Sequence, residues 1–151
     1  MKKIIVLVLL VTAQQAYSQC EPVSLFNLDL FITQGGGGLK YVKFAFTKIA
    51  EDSAEVTFAN CKWDSTGKCY AYKEYAIASK KNERYWRYAC FERAQYEKLK
   101  SEILAKSEKK EQGTATYYMY DKKMLVNFIE QDLPANACGL KQQYFIEFLR
   151  Q

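Results

Sequence analysis

The chain has 151 residues, a formal net charge of +5 and no histidine. The missing imidazole excludes Ser-His-Asp and Cys-His catalysis and every zinc site that contains histidine. The basic residues are not gathered into one cluster, so the charge does not indicate a nucleic-acid-binding surface. We therefore expect a protein that binds and not an enzyme, and we predict neither a cofactor nor a metal.

Residues 1–18 have the pattern of a secretory signal peptide. Lys2 and Lys3 give a basic start, an apolar run extends from Ile4 to Val11, and small residues follow near the expected cleavage point. The apolar run is too short to cross a bilayer, which takes about 20 residues. The sequence thus predicts a secreted protein, extracellular or periplasmic, with one domain over residues 19–151 and no membrane span.

All five cysteines lie beyond the signal, at Cys20, Cys61, Cys69, Cys90 and Cys138. Thiols of exported proteins tend to be oxidised, so we expect up to two disulfides and at least one cysteine left over. A turn centred on Ser65-Thr66-Gly67 would pair residue 63 with 69 and 61 with 71, which sets Cys61 and Cys69 too far apart to bond. We favour Cys20 with Cys138, and a hairpin cysteine with Cys90, although spacing alone does not decide the connectivity.

The first half of the mature chain is predicted to form strands. Residues 21–33 fit a short helix or a strand, and the four glycines at 35–38 break any regular element. From there to Phe91 the apolar pattern has a period of two in four segments joined by short turns, which indicates an antiparallel meander. The four segments are 40–48, 55–63, 68–78 and 84–91.

The second half begins with a change of period. Tyr96, Leu99 and Ile103 follow helical spacing, which predicts one long helix over residues 94–112 that ends at Gly113. Residues 114–120 and 124–130 then predict a hairpin, and residues 144–149 a strand or a short helix.

Together these elements predict an α+β fold. We expect an antiparallel meander sheet of about six strands, with the long helix, about 94–112, packed on one face. The alternative is a small closed β-barrel that encloses an apolar ligand.

The aromatic residues of the predicted strands suggest a function. Tyrosine combines a large apolar area with a polar tip, which favours surfaces that recognise proteins or sugars. The candidate binding residues are Tyr70, Tyr72, Tyr85, Trp86, Tyr88, Tyr117 and Tyr118. We predict a small binding module that recognises a protein or a glycan through this Tyr/Trp-rich sheet surface.

The alternative is a carrier of a small hydrophobic ligand, held in a cavity between sheet and helix. Phe44, Phe46, Phe58 and Leu99 would line that cavity. The sequence does not identify the ligand or the partner in either case.

Overall fold

The structure, a computed structural model, describes residues 21–34, 46–64, 69–112 and 115–151. The predicted signal peptide, the four glycines, the Ser65-Thr66-Gly67 turn and most of the predicted strand 40–48 lie outside these residues. The described elements, in chain order, are α1 (Leu25–Gln34), β1 (Thr47–Glu51), β2 (Glu55–Lys62), β3 (Tyr72–Ser79), β4 (Tyr85–Cys90), α2 (Arg93–Leu104), β5 (Ser107–Gln112), β6 (Ala115–Tyr120), β7 (Met124–Asp132) and β8 (Gln142–Arg150).

The strands form one antiparallel sheet in the order β1-β2-β3-β4-β8-β7-β6-β5. Two four-stranded meanders meet where β4 pairs with β8, and each meander follows one helix. The strand order is palindromic: each meander runs from its first strand at an edge of the sheet to its fourth strand at the centre. The α+β prediction is confirmed, with eight strands instead of about six and two described helices instead of one. The sheet ends at β1 on one side and at β5 on the other, so the closed-barrel alternative is wrong.

Both helices contribute to one core on the same face of the sheet. Leu28 and Phe31 of α1 and Leu99 and Ile103 of α2 belong to a single cluster of buried residues. The strands add alternate side chains to it, such as Tyr88 of β4, because successive residues of a strand point to opposite faces. The apolar side chains that alternate along the strands and those at helical spacing in α2 therefore pack in the same core.

Residues 21–33, left ambiguous by their pattern, are resolved as a helix that begins at Leu25. The Ser24 hydroxyl accepts the Asn27 N–H at 3.2 Å, which is the bond of an N-cap. At the other end the Arg150 guanidinium donates to the carbonyl oxygen of Ile32 at 3.3 Å, and a cation is favourable there. The Tyr120 hydroxyl also donates to Asp29 at 2.6 Å, so contacts from β6 and β8 hold this helix in place.

The second half of the predicted helix 94–112 is wrong. Helix α2 ends at Leu104, and Ser107–Gln112 forms the edge strand β5 along β6. Ile103 is the last apolar residue at helical spacing, so a longer helix would have no further side chain to bury. As a strand the segment gains ladder hydrogen bonds, and its charged side chains suit an exposed sheet edge.

The hairpin between β2 and β3 differs in register from the predicted one. Lys62 pairs with Tyr72 and Asn60 with Glu74, and the Trp63 N–H donates to the carbonyl oxygen of Ala71 at 3.1 Å. Trp63 therefore lies opposite Ala71 and not opposite Cys69, a shift of two residues from the predicted register.

The predicted hairpin of β6 and β7 is confirmed, and its turn offers a test of stability. Asp121 and Lys122 both have positive φ, 48° and 56°, and the Lys123 N–H donates to the Tyr120 carbonyl oxygen at 3.2 Å. Two central residues of positive φ favour Asn-Gly. We expect Asp121→Asn with Lys122→Gly to raise the free energy of unfolding by about 1 kcal/mol, measured by urea denaturation.

The matched control for this turn is Lys123→Gly, since φ of Lys123 is not positive. Glycine there adds only chain entropy to the unfolded state and should lower stability. An unchanged or lower denaturation midpoint for the Asn-Gly variant would contradict the assignment of the turn.

Candidate binding surface

The face of the sheet opposite the helices carries three rows of side chains across the central strands. The register places Tyr75, Ala89, Phe145 and Ile129 in one row; Ile77, Arg87, Glu147 and Asn127 in the next; and Tyr85, Leu149, Leu125 and Met119 in the third. We call these side chains the open face. Neither described helix packs on it, because both contribute to the core on the other side.

The apolar part of the open face consists of its first and third rows, on either side of a middle row that is mostly polar. Most of its side chains are half-buried, and Leu149 is 38% exposed. Ala89 lies between Tyr75 and Phe145 in its row and is only 1% exposed, although it points away from the core. The larger neighbouring side chains cover the small alanine, so the row has no depression at this position.

The centre of the open face holds a cation and an anion side by side. The Arg87 Nη2 lies 2.9 Å from the Glu147 Oε1, and the Tyr85 hydroxyl donates to the same oxygen at 2.6 Å. The guanidinium lies 5.4 Å from the centre of the Phe145 ring and 5.7 Å from that of Tyr85. Burial, together with the bond to Glu147, raises the pKa of Tyr85, so the phenol stays a donor at neutral pH. The opposite charges of the pair neutralise each other.

An aromatic cluster continues the first row at the β3 end. The rings of Tyr70 and Phe91 lie 4.4 Å apart, those of Tyr75 and Phe91 6.1 Å, and those of Tyr72 and Tyr75 6.2 Å. Tyr70, Tyr72 and Tyr75 are half-buried, so each keeps part of its ring accessible. Two of the predicted binding residues, Tyr70 and Tyr72, thus join the open face through Tyr75.

The other predicted binding residues divide between the two faces. Tyr85 lies near the centre of the open face, and Tyr117 lies three strands away on β6, on the same side as Met119. Tyr118 points toward the helices and packs on Phe128, with ring centres 5.8 Å apart. Trp86 and Tyr88 also point inward, and at 3% and 0% exposure they belong to the core. They therefore form no part of an exposed surface.

Sequence reasoning did not find Arg87, Phe145 or Glu147. Alternation from Tyr85 could have placed Arg87 on the same face, because the two are separated by one residue. No local sequence pattern indicates that β4 pairs with β8, because this pairing joins residues about 60 positions apart in the chain.

The disulfides differ from the expected pairs. Cys69 is bonded to Cys138, which links the β2–β3 connection to the β7–β8 connection, and Cys61 is disulfide-bonded as well. Cys90 is a buried free thiol whose pKa burial raises to about 12. The expected Cys20–Cys138 bond and the expected bond of Cys90 to a hairpin cysteine are both wrong. Cys90 points into the core from β4 and lines one small cavity together with Cys61, yet it remains a free thiol.

A buried carboxyl group fixes the segment before α1. Glu74, 3% exposed, accepts the Val23 N–H at 3.0 Å, the Asn60 side-chain amide at 2.8 Å and the Tyr88 hydroxyl at 2.7 Å. The Gln95 amide donates to the Val23 carbonyl oxygen at 2.7 Å. Burial raises the pKa of Glu74. The group is bonded on several sides by the protein itself, which is the pattern of a structural anchor.

The cavity beside Glu74 is too small for the ligand of a carrier. Its volume is about 30 Å³, room for one or two water molecules, whereas ligand pockets measure about 300 Å³ or more. Its lining includes Pro22, Lys73 and Glu92.

Three of the four residues assigned to the carrier cavity are core residues. Phe46, Phe58 and Leu99 are all buried, and the first two pack on the Phe31 ring. Phe44 lies outside the described residues.

The fold and this surface define an α+β protein in which the two described helices cover one face of the sheet and leave the other face uncovered. Comparison of the chain with protein-family models, curated proteins and solved structures gives no match. In the described part of the chain, no helix is long and apolar enough to cross a membrane.

Proposed function

We propose that this protein is a secreted binding module that recognises another protein through the open face. The observation that carries the proposal is a sheet face with two apolar and aromatic rows on either side of a paired Arg87 and Glu147, which neither described helix covers. Apolar patches of this extent on one chain are typical of contact sites. The Cys69–Cys138 disulfide supports an oxidising compartment.

The size of the face favours a protein over a glycan. Neighbouring strands lie about 4.8 Å apart, so eight strands span roughly 35 Å, and strands of this length extend roughly 20 to 30 Å. The whole sheet face, of which the open face occupies the five strands from β3 to β6, therefore measures roughly 800 Å², which is what each partner contributes to an interface of standard size. A short glycan would cover only part of it.

The distribution of apolar and charged residues on this side of the sheet also resembles that of a protein interface. Apolar side chains surround Tyr85 and Arg87 at the centre, and these two residue types are enriched among residues that dominate binding energy. Charged residues on the same side lie on the outer strands, at Glu55, Glu108 and Lys110. A desolvated centre with a polar rim is the usual layout of a protein interface.

The proposal is tested with a photoreactive phenylalanine analogue placed at Leu149 of the open face. The matched control has the analogue at Phe26, which is 70% exposed on α1. Irradiation in the fluid into which the protein is secreted should join position 149, and not position 26, to a protein whose attached peptide mass spectrometry identifies. The adduct should disappear when Phe145→Ser is added.

Equal labelling at both positions, or no adduct at position 149, would show that the open face is not a binding surface. An adduct with a glycan alone would show that the partner on the open face is a sugar and not a protein.

A further inference from the structure

We infer that the protein on the open face is a second copy of this chain, joined by a two-fold axis into a face-to-face dimer. The inference rests on the proposed function and names its partner. It is carried by the charges at the centre of the face, by the shape of the sheet and by the area available.

The central charges are complementary to themselves. Arg87 of β4 and Glu147 of β8 are directly opposite each other across the strand pair at the middle of the sheet. In a two-fold interface the same patch contributes from both copies. When the axis runs parallel to the strands, between β4 and β8, Arg87 of one copy faces Glu147 of the other, and the reverse. A face with charges of one sign would repel its own copy.

The polar groups at the centre tolerate being covered. Arg87, Tyr85 and Glu147 bond one another, and the Asn127 amide donates to the second Glu147 oxygen at 3.4 Å. Covering a polar group is costly mainly when it loses its hydrogen-bond partner. Here these bonds remain when water is excluded, so the centre of a second open face can pack over them.

A second copy also has the right shape. Packed sheets lie about 10 Å apart with strands within roughly 30° of each other, an angle that follows from the twist of each sheet. Identical sheets have identical twist, and the palindromic strand order brings β4 and β8 of both copies to the centre. The dimer would have helices on its two outer surfaces. It would bury roughly 1,600 Å² in total, the standard size for a stable interface.

Charge reversal at the centre tests the inference. Sedimentation equilibrium of the purified, oxidised mature protein across the micromolar range should show a dimer. Arg87→Glu leaves two acids and Glu147→Arg two bases at the centre, so each variant alone should dimerise at least tenfold more weakly. An equimolar mixture of the two should form the heterodimer, because their faces now carry opposite charges.

The control is Lys98→Glu, a charge reversal at an exposed position of α2, which should leave the dimer unchanged. Should either central variant fail to fold by circular dichroism, Leu149→Glu provides the same readout from an exposed position that has no polar partner to lose.

The outcomes separate this inference from the proposed function. A wild-type monomer whose position 149 is joined to a different protein would overturn the second copy and leave the binding face standing. A wild-type monomer with no adduct at position 149 would overturn both. A dimer unaffected by either central reversal and by Leu149→Glu would use another surface, which also overturns the inference.

Discussion

Replacing Cys69 and Cys138 by serine is expected to lower the free energy of unfolding by about 4 kcal/mol. The bond closes a loop of 69 residues, and the chain-entropy model gives this magnitude for a loop of that length. It also holds the connection that leads into β3 against the connection that leads into β8. Both strands flank β4, so loosening this link should affect the centre of the sheet.

Urea denaturation without reductant measures this effect. The control is Cys90→Ala, which removes the buried thiol and leaves the disulfides intact, and it should cost about 1 kcal/mol or less. A double serine variant as stable as the wild type would show that the bond contributes nothing to the free energy of unfolding.

Glu74→Ala should have an effect of similar size, about 3 to 5 kcal/mol. The substitution leaves the Val23 N–H, the Asn60 amide and the Tyr88 hydroxyl without their acceptor, and a buried unsatisfied donor costs about 1 to 3 kcal/mol. It also leaves a small void where the carboxyl group was. Thermal or urea unfolding followed by circular dichroism gives the measurement.

The matched control is Glu74→Gln, which keeps the volume and one acceptor oxygen and should lose clearly less stability than the alanine variant. Equal losses for the two variants would mean that packing alone, and not hydrogen bonding, accounts for the role of Glu74.

The difference in unfolding free energy between the wild type and Glu74→Gln should depend on pH. Burial raises the pKa of Glu74 above its usual 4.5, so in that range the folded state binds more protons than the unfolded state. The stabilising effect of the bound proton is fully present below pH 4.5 and is lost as the pH rises through the raised value. The unfolding free energy of the wild type relative to Glu74→Gln should therefore fall over this interval. A rise would contradict the direction of the shift.

The elements that the sequence predicted well are those set by local pattern. Tyr96, Leu99 and Ile103 identified α2 because helical spacing alone puts them on one face. The turn at residues 121–123 separated two apolar runs, so the β6–β7 hairpin followed from its neighbours in the chain.

The errors involve contacts that the local apolar pattern does not encode. Ser107–Gln112 has helix-favouring charged residues, yet it forms a hairpin with the next strand, β6, so sheet pairing outweighs helix propensity. Trp86 and Tyr88 were placed at the surface because adjacent aromatic residues do not reveal which face the helices cover. The Cys69–Cys138 bond likewise depends on where two loops meet, which the spacing of cysteines does not encode.

The candidate surface was predicted in kind but only partly in its residues. Tyr70, Tyr72, Tyr85 and Tyr117 lie on or beside the open face, as a surface interpretation requires. Its centre also needs Glu147 and Phe145, whose position next to β4 is fixed only when the last strand enters the sheet.

Hydroxyl-radical footprinting is the most direct test of the claim that the open face is a contact surface. The oxidation rates of Met119, Tyr85 and Leu149 are compared between two samples, with Phe26 as the internal reference. One sample is the protein in the fluid into which we propose that it is secreted, and the other is the same protein purified and strongly diluted. We predict that these three residues are oxidised several-fold more slowly in the secreted fluid, while the rate at Phe26 does not change. Equal rates at Met119, Tyr85 and Leu149 in the two samples would contradict the account.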